Sequence, residues 1–538
     1  MSATYLKDAG NGKKLLMVGE KPMLLIGGEV HNSCSSSESE MDRAWEKAKA
    51  LGMNTLLVPV TWELLEPEEG KFDFTQTDML VSNARKHGGK LGVLWFGAWK
   101  NAQCYYAPAW VKADSKRFPR AEVIKGRAFM RNQNFYGMPY STLSYFGEET
   151  KKCDARAFAV LMEHIREIDG EENTIVTVQV ENETGLQGAA RENSDYADSV
   201  FAGQVPQAFA DYMRANTETM VPDVKEAVEG GKPAGSWEEV FGACAEEIFS
   251  AYHVASYVEA VAKAGKAVYP LPMAANAWLD KGGKPGEYPS GGPVARMMEV
   301  WHFAAPSIDV LCPDIYVPDF VNVCNAYTRA GNQLYIPECA THSYAGPRLI
   351  DAVGHYHCLC YAPFGFEEMG EPFSATQGFL FGMDTSDPAL QTPQSVSDYH
   401  AAASAIASMM PMLLERYGTK DLQGASGERA DAGVMDFGSF RLTAVFNTPT
   451  NPGKNGAVLV MKESEDTFFI LTQKGAILWE SQIPGKPYVD VLELEDGCFA
   501  DGVWKRNRRL NGDEVLAFNY AAPTLLRLKL LAYGDNEA

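Results

Sequence analysis

The chain has 538 residues, too many for one hydrophobic core and enough for about two or three domains. Apolar residues make up 46% and charged residues 22%, the balance of a soluble globular protein. With 70 acidic against 48 basic residues the formal charge is -22, which argues against nucleic acid or an anionic membrane surface as a partner and leaves a neutral ligand compatible.

The N-terminal stretch MSATYLKDAGNGKKLLMVGE has no uninterrupted apolar segment and no small-residue cleavage site, so no signal peptide is expected. No apolar run approaches the roughly eighteen residues that mark a membrane span. Ten cysteines are scattered without framework spacing, which predicts reduced thiols and a cytoplasmic protein. Homo-oligomerisation is left open.

From about residue 22 to 385, short apolar runs ending in polar or aromatic residues alternate with amphipathic helical stretches. The first run is MLLIGGEVHNS, and SESEMDRAWEKAKALG then opens a helix. Ser37 and Glu40 have capping-box spacing, and Met41, Ala44, Trp45, Ala48 and Leu51 share one face. NTLLVPVTWE and KLGVLWFGAWKN are the second and third runs, and IVTVQVENETG is the fourth. A long helix is predicted over 236–265, started by another Ser-x-x-Glu box. AVYPLPMAANAW, IDVLCPDIYVPDF, QLYIPECATHS and CLCYAPFGFE complete a set of eight. Eight strand–helix units predict a closed (β/α)8 TIM barrel. A Rossmann-type sheet competes, but no G-x-G-x-x-G follows the first strand. Insertions at 105–147 and 186–235 follow the third and fourth strands, so both are expected on the face where such a barrel builds its active site.

The expected division is a barrel over 1–390, a connecting helix over 391–419 and an antiparallel β-sandwich over 420–538. The sandwich strands are SFRLTAVFN, GAVLVMKES, DTFFILTQKGAILWES, YVDVLELEDG and EVLAFNYA, with Asn511-Gly512 as a hairpin turn.

Two strand ends carry the chemistry. In the fourth run, alternation puts Val176, Val178 and Val180 on one face and Thr177, Gln179, Glu181 and Glu183 on the other, pointing into the barrel. In the seventh, Leu334, Ile336 and Glu338 share a face. Strands four and seven lie on opposite sides of the mouth, so Glu183 and Glu338 face each other across a cleft. Two such carboxylates are what glycoside hydrolysis needs: one protonates the leaving oxygen, the other attacks the anomeric carbon or activates water. Glu181 shares the inward parity but lies one pair deeper, and reads as a buried structural acid paired with a base.

VQVENETG resembles the QVENEYG signature of glycoside hydrolase family 35 β-galactosidases, within the clan of retaining (β/α)8 glycosidases. GGEVHNS and LGMNTLLVPVTWELLEPEEGKFDF resemble that family's first- and second-strand regions. The resemblance covers most of residues 22–385. It implies Glu183 as acid/base, Asn182 as the asparagine that bonds the sugar 2-hydroxyl, Glu338 as nucleophile and Tyr316 as the tyrosine that hydrogen-bonds it. The implied reaction is double displacement with retention and needs no metal or organic cofactor. Thr184 stands where the family has Tyr, and WFGAWKNAQCYYAPAW departs from its third-strand string, which marks a divergent branch.

Sugars present apolar CH faces, so Trp62, Trp99 and Tyr316 at strand ends are candidate platforms, with core packing as the bland alternative. Asn101, His342, Glu29, Asn32 and Glu367 are candidates to bind hydroxyls. HYHCLC, from His355 to Cys360, has metal-ligand residue types, but His355 and His357 take one face and Cys358 and Cys360 the other, which favours packing. The favoured function is an exo-acting β-galactosidase that cleaves oligosaccharides or other β-glycosides. A β-glucosidase or β-glucuronidase with the same mechanism, and a catalytically silent carbohydrate-binding barrel, are the alternatives.

Overall fold

The computed structural model describes residues 4–127, 130–132, 138–372, 374–375, 378, 386, 396–513 and 520–535. Eight parallel strands close into a barrel: β1 (Leu25–Glu29), β2 (Thr55–Thr61), β3 (Lys90–Phe96), β4 (Ile175–Val180), β5 (Met273–Trp278), β6 (Val310–Ile315), β7 (Tyr335–Cys339) and β8 (Cys360–Pro363). Each predicted run contains one of them. They are buried along almost their whole length because helices cover them outside and side chains fill the inside, hence the near-continuous apolar sequence. The helices are α1 (Glu38–Leu51), α2 (Thr75–His87), α3 (Glu148–Asp169), α4 (Ala245–Val268), α5 (Met298–Ala304), α6 (Phe320–Ala326) and α7 (Ala345–Gly354).

α1 buries Met41, Ala44, Trp45, Ala48 and Leu51, the predicted face. Its capping box does not form: the Ser37 hydroxyl pairs with Ser39, and Glu40 turns to Arg43. The second box does form, between Ser236 and Glu239, but it caps only Trp237–Phe241. Gly242, at φ +49°, ends that turn, so the helix predicted over 236–265 is broken before α4 begins.

Three N-terminal strands, Thr4–Gly10, Lys13–Val18 and Lys21–Met23, form an antiparallel sheet that was not predicted. Its Leu16 joins Leu25, Leu57, Leu94, Val310 and Tyr335 in the cluster that fills the barrel. Val176 belongs to that interior cluster too, whereas Val178 and Val180 pack outward under the helices. The register between β3 and β4 slips at this point, with Leu91 opposite Ile175 and Gly92 opposite Thr177, so a bulge corrects the simple alternation expected for the valines. β7 has a matching irregularity between Ile336 and Cys339. Leu334 and Ile336 face outward and Tyr335 inward, so Glu338 does not share their face as expected.

The insertion at 186–235 is helical, with Asp195–Phe201, Gln207–Ala215 and Pro222–Gly230. After the barrel comes α8 (Val396–Leu414), followed by β9 (Leu422–Ser426), β10 (Ala432–Asp436), β11 (Phe440–Val445), β12 (Ala457–Lys462), β13 (Thr467–Gln473), β14 (Ala476–Ser481), β15 (Tyr488–Ala500), β16 (Val503–Arg509) and β17 (Thr524–Tyr533). They form antiparallel sheets in the orders β9-β12-β13-β17-β15-β16 and β10-β11-β14. Phe440, Leu442 and Ile477 of the smaller sheet meet Val458, Phe468, Ile470 and Leu526 of the larger one. The other face of the larger sheet, with Leu459, Met461 and Phe469, packs into the barrel core. Most of the strand expected in EVLAFNYA lies outside the described residues. Among the described residues no helix is long and apolar enough to cross a membrane.

The HYHCLC segment packs against this second unit. His357 stacks on Tyr417 at 5.0 Å and accepts the Gly418 N–H, and Cys358 and Cys360 are buried free thiols. Two ion pairs tie α7 to the turn after β9. Arg348, 4% exposed, donates to both oxygens of Glu428 at 2.7 and 2.8 Å, and Arg429 reaches both oxygens of Asp351 at 2.8 and 2.9 Å. Arg348→Ala strands Glu428 with no counter-charge, and is expected to lower stability by about 3–5 kcal/mol. Urea unfolding of the variant beside the wild type measures this.

Candidate active site

β4 leads into Glu181-Asn182-Glu183, and the backbone there is strained. Glu181 and Glu183 have φ of +63° and +46°, in a left-handed region that costs a residue with a Cβ about 1–3 kcal/mol. Glu183 is held by the N–H of Ala102 on its carbonyl, and its own N–H donates to Asn276 Oδ1 at 3.0 Å. Gly185 ends the motif at φ +130°, where a Cβ would fall 2.8 Å from the Pro289 carbonyl, so only glycine fits. Asn101, Ala102 and Lys281, each following a barrel strand, also have positive φ. Five left-handed residues with a Cβ thus share one rim of the barrel.

The two left-handed residues send the glutamates opposite ways. Glu183 enters the mouth. Glu181 leaves it, accepts the Trp99 N–H at 2.8 Å through Oε2 and turns toward Asp154 of α3. Asp154 also accepts from Trp95 Nε1 at 2.9 Å and Tyr257 Oη at 3.0 Å. The expected basic partner for Glu181 is replaced by a second acid, so one proton must lie between them. Burial first, and then the charge of Asp154, raise the Glu181 carboxyl well above its usual range.

Glu338 ends β7 inside the mouth. Its Oε2 accepts from Tyr316 Oη at 2.8 Å, and its Oε1 from Asn182 Nδ2 at 3.2 Å and Asn276 Nδ2 at 3.3 Å. Asp314, paired with Glu338 in the β6–β7 register, accepts from Asn276 Nδ2 at 2.8 Å. One carboxyl oxygen from each of Glu183, Asp314 and Glu338 lies within 4.8 Å of the others. The same three groups are the set of metal-type ligands that converges among the described residues. Asn182, Asn276 and Tyr316 already occupy the oxygens of Glu338, which fits a carboxyl cluster that shares protons. Burial and the Glu338 charge raise the Glu183 carboxyl to about 8. Lys100, buried with its ammonium 4.9 Å from the Phe96 ring centre, is the buried cation nearby, and Lys281 also faces Glu183. Burial works to lower it, but Glu338, Glu29, Glu183 and Asp314 together outweigh that and raise it.

Glu29, on β1, is fully buried, and among the described residues neither of its oxygens has a hydrogen-bond partner. Burial and then Glu338 push it well above the carboxylate range. Glu367 accepts the His31 N–H at 3.1 Å through Oε1, and among the described residues its Oε2 and Asn32 Oδ1 have no partner. These are orphan acceptors suited to hydroxyl donors. Asn101 donates its backbone N–H to Asn182 Oδ1 at 3.4 Å. His342 is buried beside Arg348, with Nε2 3.2 Å from the guanidinium, and burial and that charge keep the ring neutral.

Trp62 and Trp99 do not present ring faces. Trp62 is 0% exposed with Nε1 on Glu66, and Trp99 is 1% exposed with Nε1 on the Gly185 carbonyl. Both are wall. Partly exposed rings at strand ends belong instead to Tyr106, Trp278 and Phe364. Asp314, Asn276 and Lys100 were also missed. Alternation along β6 from Val310 and Cys312 points Asp314 inward, so the rule used for the glutamates would have found it.

Residues 15–93 match the Glycosyl hydrolases family 35 model, a segment that covers β1, β2 and the start of β3 and ends before Glu183 and Glu338. Residues 404–519 match a domain of unknown function (DUF5597). Beta-galactosidase-1-like protein 3 of Homo sapiens is 39% identical over 69 residues, 13% of this chain and 10% of that protein. Beta-galactosidase of Xanthomonas manihotis is 42% identical over 55 residues, 10% of this chain and 9% of that protein. The matched segments thus span about a tenth of these relatives. The crystal structure of beta-galactosidase from the psychrophilic Marinomonas ef1 superposes with a TM-score of 0.46 at 11% identity, over 72% of this chain and 60% of that one.

The Asp154–Glu181 pair sets a stability test. Glu181 ionises near 4.5 when unfolded and is raised well above that in the fold, so folding takes up a proton and stability falls as pH rises from about 4.5. Glu181→Gln keeps a donor for Asp154 and an acceptor for Trp99 without needing that proton. Its melting temperature at pH 8 should equal or exceed wild type, with a flatter pH dependence. Glu181→Ala orphans both partners and should lose about 1–3 kcal/mol.

Proposed function

We propose that this protein is a retaining exo-β-glycosidase, with terminal β-galactosides as substrates. The observation that carries the proposal is the approach of Glu183 and Glu338 across the mouth, with oxygens within 4.8 Å. Oxygens this close support the short carboxyl separation of retention, about 5–5.5 Å, over the roughly 6.5–9.5 Å that leaves room for a water in inversion. Galactose is favoured over glucose or glucuronic acid by the names of the matched relatives.

Glu338 attacks C1 while Glu183 gives its proton to the departing oxygen. Tyr316 and Asn182, by fixing both Glu338 oxygens, aim the nucleophile. The glycosyl-enzyme bond then breaks as water, deprotonated by Glu183, adds to C1. Glu183 suits the acid role because burial and Glu338 keep its proton on to about pH 8. The orphan oxygens of Glu29 and Glu367 accept sugar hydroxyls.

Kinetics on a panel of nitrophenyl β-glycosides test the assignment. Galactoside turnover should give the β-anomer first by NMR, and a 2-fluoro sugar should label Glu338. Glu183→Gln should lower kcat/KM by about 10²–10⁴-fold on substrates with poor leaving groups. Glu338→Gln should be inert, with azide restoring turnover. Fast turnover of another glycoside with none of the galactoside would overturn the sugar assignment. A wild-type protein that binds sugar but cleaves nothing would make it a binding barrel.

The pH profile is a separate test. The acid form of Glu183 is required, so kcat/KM should hold below about 8 and fall above it. Glu183→Gln should abolish that limb.

A further inference from the structure

Asp314 is the member of the carboxyl triad that double displacement leaves without a task. It ends the inward face of β6, 3% exposed. Oδ2 accepts from Asn276, while Oδ1 is buried with no donor in reach among the described residues. What lies near are oxygens of Glu183 and Glu338, within 4.8 Å, and ionised carboxylates only accept. A buried acceptor that faces acceptors is costly unless a proton sits between them. Glu338 cannot supply that proton, since its oxygens already accept from Tyr316, Asn182 and Asn276 and it must be anionic to attack. Glu183 gives its own proton away in the first half-reaction.

We propose that Asp314 is a positioning residue that keeps its proton through the cycle and donates a hydrogen bond to the Glu183 carboxylate formed when the leaving group departs, holding it toward the incoming water. In the first step the C1–O bond breaks, C1 bonds to Glu338 and the Glu183 proton goes to the leaving oxygen. In the second, water bonds to C1, its proton goes to Glu183 and the bond to Glu338 breaks. The Asp314 proton is not transferred. With a proton on Asp314 the two side chains can hydrogen-bond, and such a bond favours ionised Glu183. Burial, then Glu338, Glu183 and Glu29, push the Asp314 carboxyl well above its usual range. The charged groups facing Glu183 among the described residues include Glu338 from β7, Asp314 from β6, Glu29 from β1, Lys100 after β3 and Lys281 after β5. Glu29 from β1 also faces Asp314. The inference rests on the glycosidase roles of Glu183 and Glu338.

Asp314→Asn keeps both bonds: its carbonyl can accept from Asn276 and its amide can donate to Glu183. Asp314→Leu keeps neither. The Leu variant should move the basic limb of kcat/KM upward by about half a pH unit or more, because ionised Glu183 loses its donor. It should also lower kcat about tenfold on dinitrophenyl glycosides, where the second step limits. The Asn variant should stay closer to wild type in kcat. An infrared difference spectrum at neutral pH, wild type against Asp314→Asn, should show one unionised carboxyl band lost. That measurement needs neither turnover nor a folded Leu variant, so a protein inert to glycosides would sink the functional assignment and leave the Asp314 proton testable. No loss of the band overturns the proposal, as does a Leu variant whose pH limb matches wild type.

Discussion

Four carboxyl groups, from Glu29, Glu183, Asp314 and Glu338, are crowded at the mouth of this barrel around one buried ammonium, that of Lys100. Like charges this close and this dry cannot all be ionised, so protons have to be retained, and their placement organises the site. Asn276 is the hub of that arrangement. It holds the Glu183 backbone through Oδ1 and both Asp314 and Glu338 through Nδ2, linking four consecutive strands. Tyr316 and Asn182 complete the shell around Glu338 and leave it the best solvated by hydrogen bonds of the four.

The same economy explains the paired glutamates after β4. Glu181 and Glu183 are two residues apart, and both occupy the left-handed region, yet one is structural and the other faces the mouth. Glu181 shares a proton with Asp154 and binds the backbone of the loop after β3, so it joins α3, β3 and β4 from behind. It braces the turn that presents Glu183. The strain of that turn is offset by the bonds to Ala102 and Asn276 and by the close approach of Gly185 to the loop at Pro289. A rigid presentation of the carboxyl group is what a proton donor to a buried oxygen needs.

The C-terminal sheets support this scaffold from the side. The larger sheet is covered on both faces, by the smaller sheet and by the barrel's α7 with the connecting α8, and its central strands are accordingly buried at nearly every residue. The buried Arg348 and Glu428 pair passes close to His342 and the Pro318 carbonyl, at the ends of the loops that follow β7 and β6. The second unit is therefore linked, through Arg348, to the segments that carry Glu338 and Tyr316.

The amino-acid order by itself determined the eight-strand barrel, because buried parallel strands and amphipathic helices leave unmistakable periodicities. It also placed Glu183 and Glu338 at strand ends, because the spacing of acids after apolar runs is a local property, while Asn182 and Tyr316 were picked out by the resemblance to a known family. Where a side chain points is not local. Alternation sent Glu181 into the barrel, Val176 out of it and Glu338 to the face of Ile336; a bulge in β4, an irregularity in β7 and two left-handed residues reversed each of these. Nor could the order alone tell a tryptophan in the wall, such as Trp62 or Trp99, from one facing a ligand, since both follow a strand and differ only in what the neighbouring helix covers. Convergence of Asp314, Asn276 and Lys100 on the glutamates was decided by tertiary structure, because it depends on barrel closure bringing residues from distant strands within a few ångströms.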